Sequence, residues 1–286
     1  MKDQTPKITV IGGDLRQLEA ARTLAEAGYT VAVYGIDVVG EPPTLPSLHK
    51  SASLHAAVHE ADCVLLPLPY SYDGEKVNAP LSTKSITLSE LFAYLSPQTK
   101  IAAGLLGATL DLPNPVFDYA KSETFAVKNA RATVEGAIAI AIRESTSTLC
   151  HSNCIVTGYG RIGKMLASSL TLLGAHVTVV ARSPKDRAWA WSEGLSAFGY
   201  EALPTLAGRA DILFNTVPAT VIDRKTLYAL PDNVPVIELA SLPGGVDLRA
   251  ADEEGVRVVT ALGLPGKYSP KTAGKIIADC VKEALL

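Results

Sequence analysis

Paired cysteines are scarce in this sequence. Of 286 residues four are cysteine, Cys63, Cys150, Cys154 and Cys280, and none forms a CxxC unit. That spacing excludes a zinc ribbon or a redox dithiol and leaves ordinary buried or half-buried thiols. His55 and His59 stand four apart on an expected helix, but no further Cys or His cluster joins them, so surface histidines and no metal site are expected. An excess of positive charge is also missing. Lys and Arg number 26 against 29 Asp and Glu, a formal net charge of -3, which argues against nucleic acid or an anionic membrane as partner. No apolar run approaches the roughly 20 residues that span a bilayer. The start MKDQTPK leads into a strand without a signal-peptide core, so a cytoplasmic protein is expected. Low-complexity segments and short repeats are absent as well.

What the chain does have is alternation. With 48% hydrophobic and 19% charged residues, it is long enough for two modest domains, each with its own core. Short β-branched and apolar runs alternate with helical patterns: ITVIG, YTVAVYG, ADCVLLPLP, KIAAGLLG and TFAVKN, then NCIVTG, AHVTVVA, ADILFNT, VPVIELA and VRVVTA. This predicts parallel sheets with crossover helices. Between the two sets, ARATVEGAIAIAIRESTSTL places Ala, Ile and Glu at helical spacing without proline and reads as a linking helix. The terminal SPKTAGKIIADCVKEALL reads as an amphipathic helix, with Ser269 available as N-cap and Pro270 in its first turn.

Two glycine turns stand at corresponding places in the two sets. In GYGRIG, Gly158, Gly160 and Gly163 match GxGxxG between a strand and a helix. The first glycine permits a tight turn, the second lets a pyrophosphate approach, and the third lets helix and strand pack closely. Arg161 and Ile162 complete the turn at the helix N-terminus. The following strand ends in Ala181, Arg182 and Ser183, where an NAD-binding protein places a carboxylate for the ribose. A guanidinium and a hydroxyl suit a 2′-phosphate instead, so NADP is expected. The first turn, VIGGDLRQLEAA, has Asp14 and Gln17 where the second and third glycines would fall. A carboxylate capping the helix would occupy the place of a pyrophosphate, so no dinucleotide is expected there, and Asp37 reads as a loop residue. Arg16 is open between a substrate-carboxylate contact and a capping arginine.

The fold class expected is therefore α/β, with two Rossmann-like parallel-sheet domains joined by a linking helix and a C-terminal helix returning to the first. The boundaries are 1–129 for a substrate-side domain, 130–268 for an NADP-binding domain with the linking helix, and 269–286 for the returning helix. Thr216, Val217 and Pro218 in FNTVP follow one strand and Leu239 and Ala240 in ELAS end the next. Fold geometry puts them at the carboxyl edge of the sheet, the side on which a cofactor is expected.

The set GGDLRQLE, NARATVEGAI, GYGRIG, VVARS, FNTVP, ELASLPGG and LGLPGKYSPKTAG resembles the dipicolinate synthase A-subunit family of spore-forming bacteria over nearly the whole chain. The resemblance implies formation of dipicolinate, pyridine-2,6-dicarboxylate, from a dihydrodipicolinate or 4-hydroxy-tetrahydrodipicolinate intermediate of the lysine pathway. It also implies, as partner, the flavoprotein-like B-subunit of dipicolinate synthase, and expression in the mother cell during sporulation. Two positions depart from the family pattern: Leu242 stands where an arginine is expected, and Ala132 where a proline is expected. Related two-domain dehydrogenases suggest a homodimer.

No catalytic acid or base is assigned. His176 is the only histidine beyond the glycine motif, and it begins a strand, which leaves oxidation of a hydroxyacid poorly equipped. Aromatising a dihydropyridine is less demanding, and positioning is most of the task. A dicarboxylate substrate calls for cations and polar groups. Arg16, Thr133, Glu135, Ser241 and Lys271 are the substrate-side candidates, with Arg131 and Lys267 as further cations; TVE reads equally as a helix start. The alternatives are an NADP-dependent 2-hydroxyacid or amino-acid dehydrogenase, and a non-catalytic protein that binds NADP within a complex.

Overall fold

The computed structural model describes residues 5–37, 45–106 and 112–285. The chain divides into two compact units, residues 1–129 with 269–286, and residues 130–268. The first unit carries strands β1 (Lys7–Ile11), β2 (Thr30–Tyr34), β3 (Leu48–Lys50), β4 (Cys63–Leu65), β5 (Lys100–Ala103) and β6 (Val116–Asp118). Its sheet has the order β3-β2-β1-β4-β5-β6, every pair parallel. The second unit carries β7 (Asn153–Thr157), β8 (His176–Val180), β9 (Ser196–Phe198), β10 (Ile212–Asn215), β11 (Val236–Glu238) and β12 (Val258–Thr260). Its order, β12-β11-β10-β7-β8-β9, is the same arrangement read from the other edge. Both units are the Rossmann-like parallel sheets that the alternation predicts.

The helices are α1 (Leu15–Glu26), α2 (Leu54–Val58), α3 (Leu88–Ala93), α4 (Glu123–Glu144), α5 (Arg161–Leu172), α6 (Pro184–Ser192), α7 (Leu203–Ala207), α8 (Arg224–Ala229), α9 (Leu248–Glu253), α10 (Leu264–Tyr268) and α11 (Pro270–Leu285). They cover both faces of each sheet, which is why the strands are apolar along their length rather than alternating with polar residues. Successive residues point to opposite faces. Cys154 and Val156 enter one core of the second unit and Ile155 the other; in the first unit Cys63 and Leu65 face one core and Val64 the other. The terminal helix α11 packs on α1. Gly274 lets them meet closely, since a methyl there would press on the Arg16 carbonyl and the Ala20 amide.

Several expectations need correction. TFAVKN reads as a strand but lies inside α4, which begins at Glu123. Ser122 starts the helix: its carbonyl accepts from the Ala126 amide, and its hydroxyl accepts from the Phe125 amide at 3.3 Å. Phe125 then packs its ring on Tyr119. Tertiary packing outweighs the strand preference of a short β-branched stretch. Thr133 and Glu135 therefore sit in mid-helix rather than at a helix head, and the reading of TVE as a helix start fails. The strands β3, β6 and β9, three residues each, are too short to show a period. Cys150 is exposed, whereas Cys63, Cys154 and Cys280 are buried; burial pushes the Cys63 and Cys154 thiols up to about 12. Among the described residues no group of three or more His, Cys, Asp or Glu is arranged to hold a metal. Among them, too, no helix is long and apolar enough to cross a membrane.

Candidate functional site

In the second unit the strand order reverses between β7 and β10, the place where a parallel sheet opens a crevice at its carboxyl edge. Gly158 follows β7 in the left-handed region, at φ +87°, a conformation that favours glycine. A side chain there would strike the Thr216 hydroxyl and the Val217 side chain at the end of β10. A methyl on Gly163 would overlap the Gly158 carbonyl, so the third glycine brings α5 against the turn. Gly160 is different: a methyl there would meet nothing within 4 Å. It stands at the N-cap of α5, and no side chain caps it. A helix start at a glycine with no side-chain cap is the arrangement that receives a phosphate anion. These residues fit the pyrophosphate of a dinucleotide.

Tyr159, between the first two glycines, is buried and donates its hydroxyl to Glu193 Oε2 at 2.7 Å. Burial, with the Glu193 carboxylate, pushes its phenol up. This bond ties the turn to the end of α6. Motif spacing gives no hint of it, since Glu193 lies 34 residues away.

Beyond β8, Ala181 is buried and Arg182 exposed. Ser183 caps α6, accepting weakly from the Asp186 amide at 3.5 Å. The backbone here is held by Arg187, absent from the sequence-based site, whose Nη1 donates to the carbonyls of Ala181 at 2.9 Å and Arg182 at 2.8 Å. Tyr200 lies within reach of the Arg182 charge, which opposes the upward push of burial on its phenol. At the end of β10, Thr216 donates both its amide and its hydroxyl to the Thr157 carbonyl. Val217 is half-buried and Pro218 exposed; past β11, Leu239 and Ala240 are buried and Ser241 is exposed. Asn215 and Glu238, buried in the same strand ends, escape sequence reasoning because polar residues in a sequence read as surface.

The first unit closes the equivalent position. Asp14 caps α1, accepting from the Arg16 amide at 2.9 Å. Its carboxylate also holds the Arg16 guanidinium, which further donates to the Leu68 carbonyl at 2.7 Å. A methyl on Gly12 would meet Ala79 and Val77, and the Gly13 amide is bonded to the Asn78 carbonyl. The chain's own residues thus crowd this turn, and two guanidinium nitrogens of Arg16 are bonded to the Asp14 carboxylate and the Leu68 carbonyl. Asp37, past β2, pairs with Lys50 at 2.8 Å and accepts from the Thr83 amide and hydroxyl at 3.1 Å. It is engaged as a loop residue.

Lys50 first, then the Thr83 amide, lowers the Asp37 carboxyl from its ordinary 3.8 to about 2. Because folding lowers this pKa, the stabilisation is complete above the unfolded value and is lost as pH falls through the folded one. Asp37→Asn is expected to cost about 1 kcal/mol at pH 7, the full linkage value being discounted for partial exposure. The difference from wild type should vanish towards pH 2, and urea melts at both pH values check it.

Of the substrate-side candidates, Arg16 and Lys271 belong to the first unit, and Lys271 is exposed at the start of α11. Thr133, Glu135 and Ser241 belong to the second; Thr133 is buried, and Glu135 and Ser241 are exposed. Of the further cations, Arg131 donates to the Ser169 hydroxyl at 3.2 Å, and Lys267 is exposed on α10.

A glycine turn at the switch point of a parallel sheet is a dinucleotide-binding arrangement, and the family model that the second unit matches makes it a nicotinamide-dinucleotide domain of dehydrogenase type. Residues 127–241 match the family model of the D-isomer specific 2-hydroxyacid dehydrogenase NAD binding domain, and residues 7–112 that of the N-terminal domain of the dipicolinate synthase A-subunit. The A-subunit of dipicolinate synthase from Bacillus subtilis (strain 168) is 30% identical over 285 residues, 98% of this chain and 95% of that protein. The chain belongs to the dipicolinate synthase A-subunit family. The crystal structure of the family member from Bacillus halodurans superposes with a TM-score of 0.88 at 30% identity, covering 98% of this chain and 97% of that one. The crystal structure of the Bacillus subtilis protein gives 0.85 at 30% identity, covering 99% and 96%.

Proposed function

We propose that the chain is the NADP-dependent oxidoreductase component of a dipicolinate synthase. It forms pyridine-2,6-dicarboxylate from dihydrodipicolinate, or from 4-hydroxy-tetrahydrodipicolinate after loss of water, in the mother cell during sporulation and beside a flavoprotein-like B-subunit. The observation that carries this reading is the glycine turn of a chain from this family, followed by a strand that leads into Arg182 rather than into a carboxylate.

When bound, NADP⁺ would supply the hydride acceptor, so that dihydrodipicolinate and NADP⁺ would give dipicolinate, NADPH and one proton. The chain supplies binding and orientation. The α5 amides hold the pyrophosphate, with Arg161 and Ile162 at the same helix start. Arg182 and Ser183, beside Ala181, would hold the 2′-phosphate; Thr216, Val217 and Pro218 would contact the adenine side or the nicotinamide ribose, and Leu239 and Ala240 would lie near the nicotinamide. Aromatisation drives the step, so no strong base is required. Arg16, Thr133, Glu135, Ser241 and Lys271 are the proposed substrate-side residues. The second reading, a protein that binds NADP without catalysing, stands because no acid or base is assigned beside the glycine turn, His176 included. It starts β8, at the edge of the sheet opposite the glycine turn, where its ring lies beside that of His151.

Purified chain, alone and with the B-subunit, should be incubated with NADP⁺ and freshly generated 4-hydroxy-tetrahydrodipicolinate while NADPH and dipicolinate are followed together. Stoichiometric appearance of both from the chain alone is the expected result. Neither product without the partner, despite measurable NADP binding, favours the second reading. Efficient reduction of pyruvate-like acids by NADPH would replace both with a 2-hydroxyacid dehydrogenase.

A further inference from the structure

We infer that Glu238 is a positioning residue. It holds the loop 239–246, and through Asn215 the end of β10, in the geometry that seats the nicotinamide half of the dinucleotide. The inference rests on the cofactor reading above.

Sheet register puts Thr157, Asn215 and Glu238 side by side on three neighbouring strands, at the last residues of β7, β10 and β11. All three are buried, Glu238 at 5% exposure. Oε1 of Glu238 accepts from Asn215 Nδ2 at 2.8 Å and from the Ala240 amide at 2.9 Å. Oε2 accepts from Asn215 Nδ2 at 2.9 Å and from the amides of Gly245 at 2.8 Å and Val246 at 3.1 Å. Asn215 Oδ1 in turn accepts from the Thr157 hydroxyl at 2.6 Å and the Val217 amide at 3.1 Å. One carboxylate therefore ties both ends of the β11 loop to each other and to β10, and Asn215 extends the tie to the residue before Gly158.

Gly245 lies so close to β10 that a methyl would overlap the Val217 carbonyl, and its own carbonyl accepts from the amides of Val221 and Ile222. Only the tip, with Leu242 at 78% exposure, stands free of the core. A buried carboxylate is an expensive way to stabilise a fold, and packed apolar residues do as well or better. Among the described residues no cation pairs with it. Its bonds are spent on backbone amides at the carboxyl edge beside the switch point, which is where a ligand is oriented. The carboxylate lies behind these amides and acts through them.

The pyrophosphate site at Gly158 to Gly163 is built separately, and this separates the readouts. Glu238→Gln keeps the size of the side chain and one acceptor oxygen but turns an NH2 towards N–H donors. NADPH affinity is expected to stay within about threefold of wild type. The gain in nicotinamide fluorescence on binding should fall to about half or less, and amide exchange across residues 239–246 should accelerate about tenfold or more. Exchange in the wild-type protein is a check that no folding defect can confound: the Gly245 and Val246 amides should exchange at least about 100-fold more slowly than that of Leu242. Unprotected Gly245 and Val246 amides, or a Glu238→Gln protein unchanged in exchange and fluorescence, overturn the inference while NADPH binding stands. A wild-type protein that does not bind NADPH overturns the cofactor reading and this inference together.

Discussion

Replacing Gly160 by valine is expected to remove NADP(H) binding, weakening it about 100-fold or more, equivalent to roughly 3 kcal/mol, while leaving the fold intact. The backbone of Gly160 is extended, at φ -81° and ψ -162°, a region open to any residue. A Cβ there would meet nothing within 4 Å, so the branch point of a side chain fits without a clash. The stability change should stay within about 0.5 kcal/mol, the usual range for a substitution that disturbs no packing. What the new methyl groups do occupy is the approach to the first amides of α5, where the pyrophosphate must come close to the backbone. Gly163→Ala makes the contrasting control, because its methyl would overlap the Gly158 carbonyl and should lower the melting temperature as well. NADPH fluorescence titrations and thermal melts of both variants decide the matter. A Gly160→Val protein that keeps wild-type affinity would place the dinucleotide elsewhere.

Arg182→Asp is expected to reverse the cofactor preference. The guanidinium of Arg182 is exposed just past β8, on backbone that Arg187 pins through the carbonyls of Ala181 and Arg182. The substitution should therefore change the charge without moving the turn. A guanidinium bonds a 2′-phosphate with charge-assisted hydrogen bonds; a carboxylate in its place repels the phosphate and accepts from the ribose hydroxyls of NAD. NADP affinity should fall about 100-fold and NAD affinity should rise, for a combined shift in preference on the order of 10³. Dissociation constants for both cofactors should be compared at one ionic strength, since screening weakens an exposed phosphate contact. Wild-type protein that binds NAD as tightly as NADP would remove Arg182 from this role.

The legible parts of the site share one property: their reasons are local. Gly158, Gly160 and Gly163 each answer a steric demand set within a few residues, so strand, turn and helix can be read from GYGRIG. Asp14 is legible as a helix cap for the same reason, since its partner, the Arg16 amide, is two residues away. The illegible parts depend on residues far off in the chain. The filling of the first turn by residues 77–79 needs β1 and the segment after β4 to meet, which spacing alone does not encode. TFAVKN misleads because a six-residue β-branched stretch fits either period, and its helix is decided by Ser122 at its start and by Tyr119 beneath Phe125.

By itself the sequence determined two parallel α/β units, the glycine turn of dinucleotide-binding pattern in the second, and the aspartate that caps the helix after the turn of the first. Those follow from hydrophobic periodicity and from steric rules that act within a turn. The tertiary structure alone decided that Thr157, Asn215 and Glu238 form one buried row. Each is an ordinary polar residue in the sequence, and only the register of three strands separated by dozens of residues brings a carboxylate within bonding distance of an amide side chain and three backbone N–H groups.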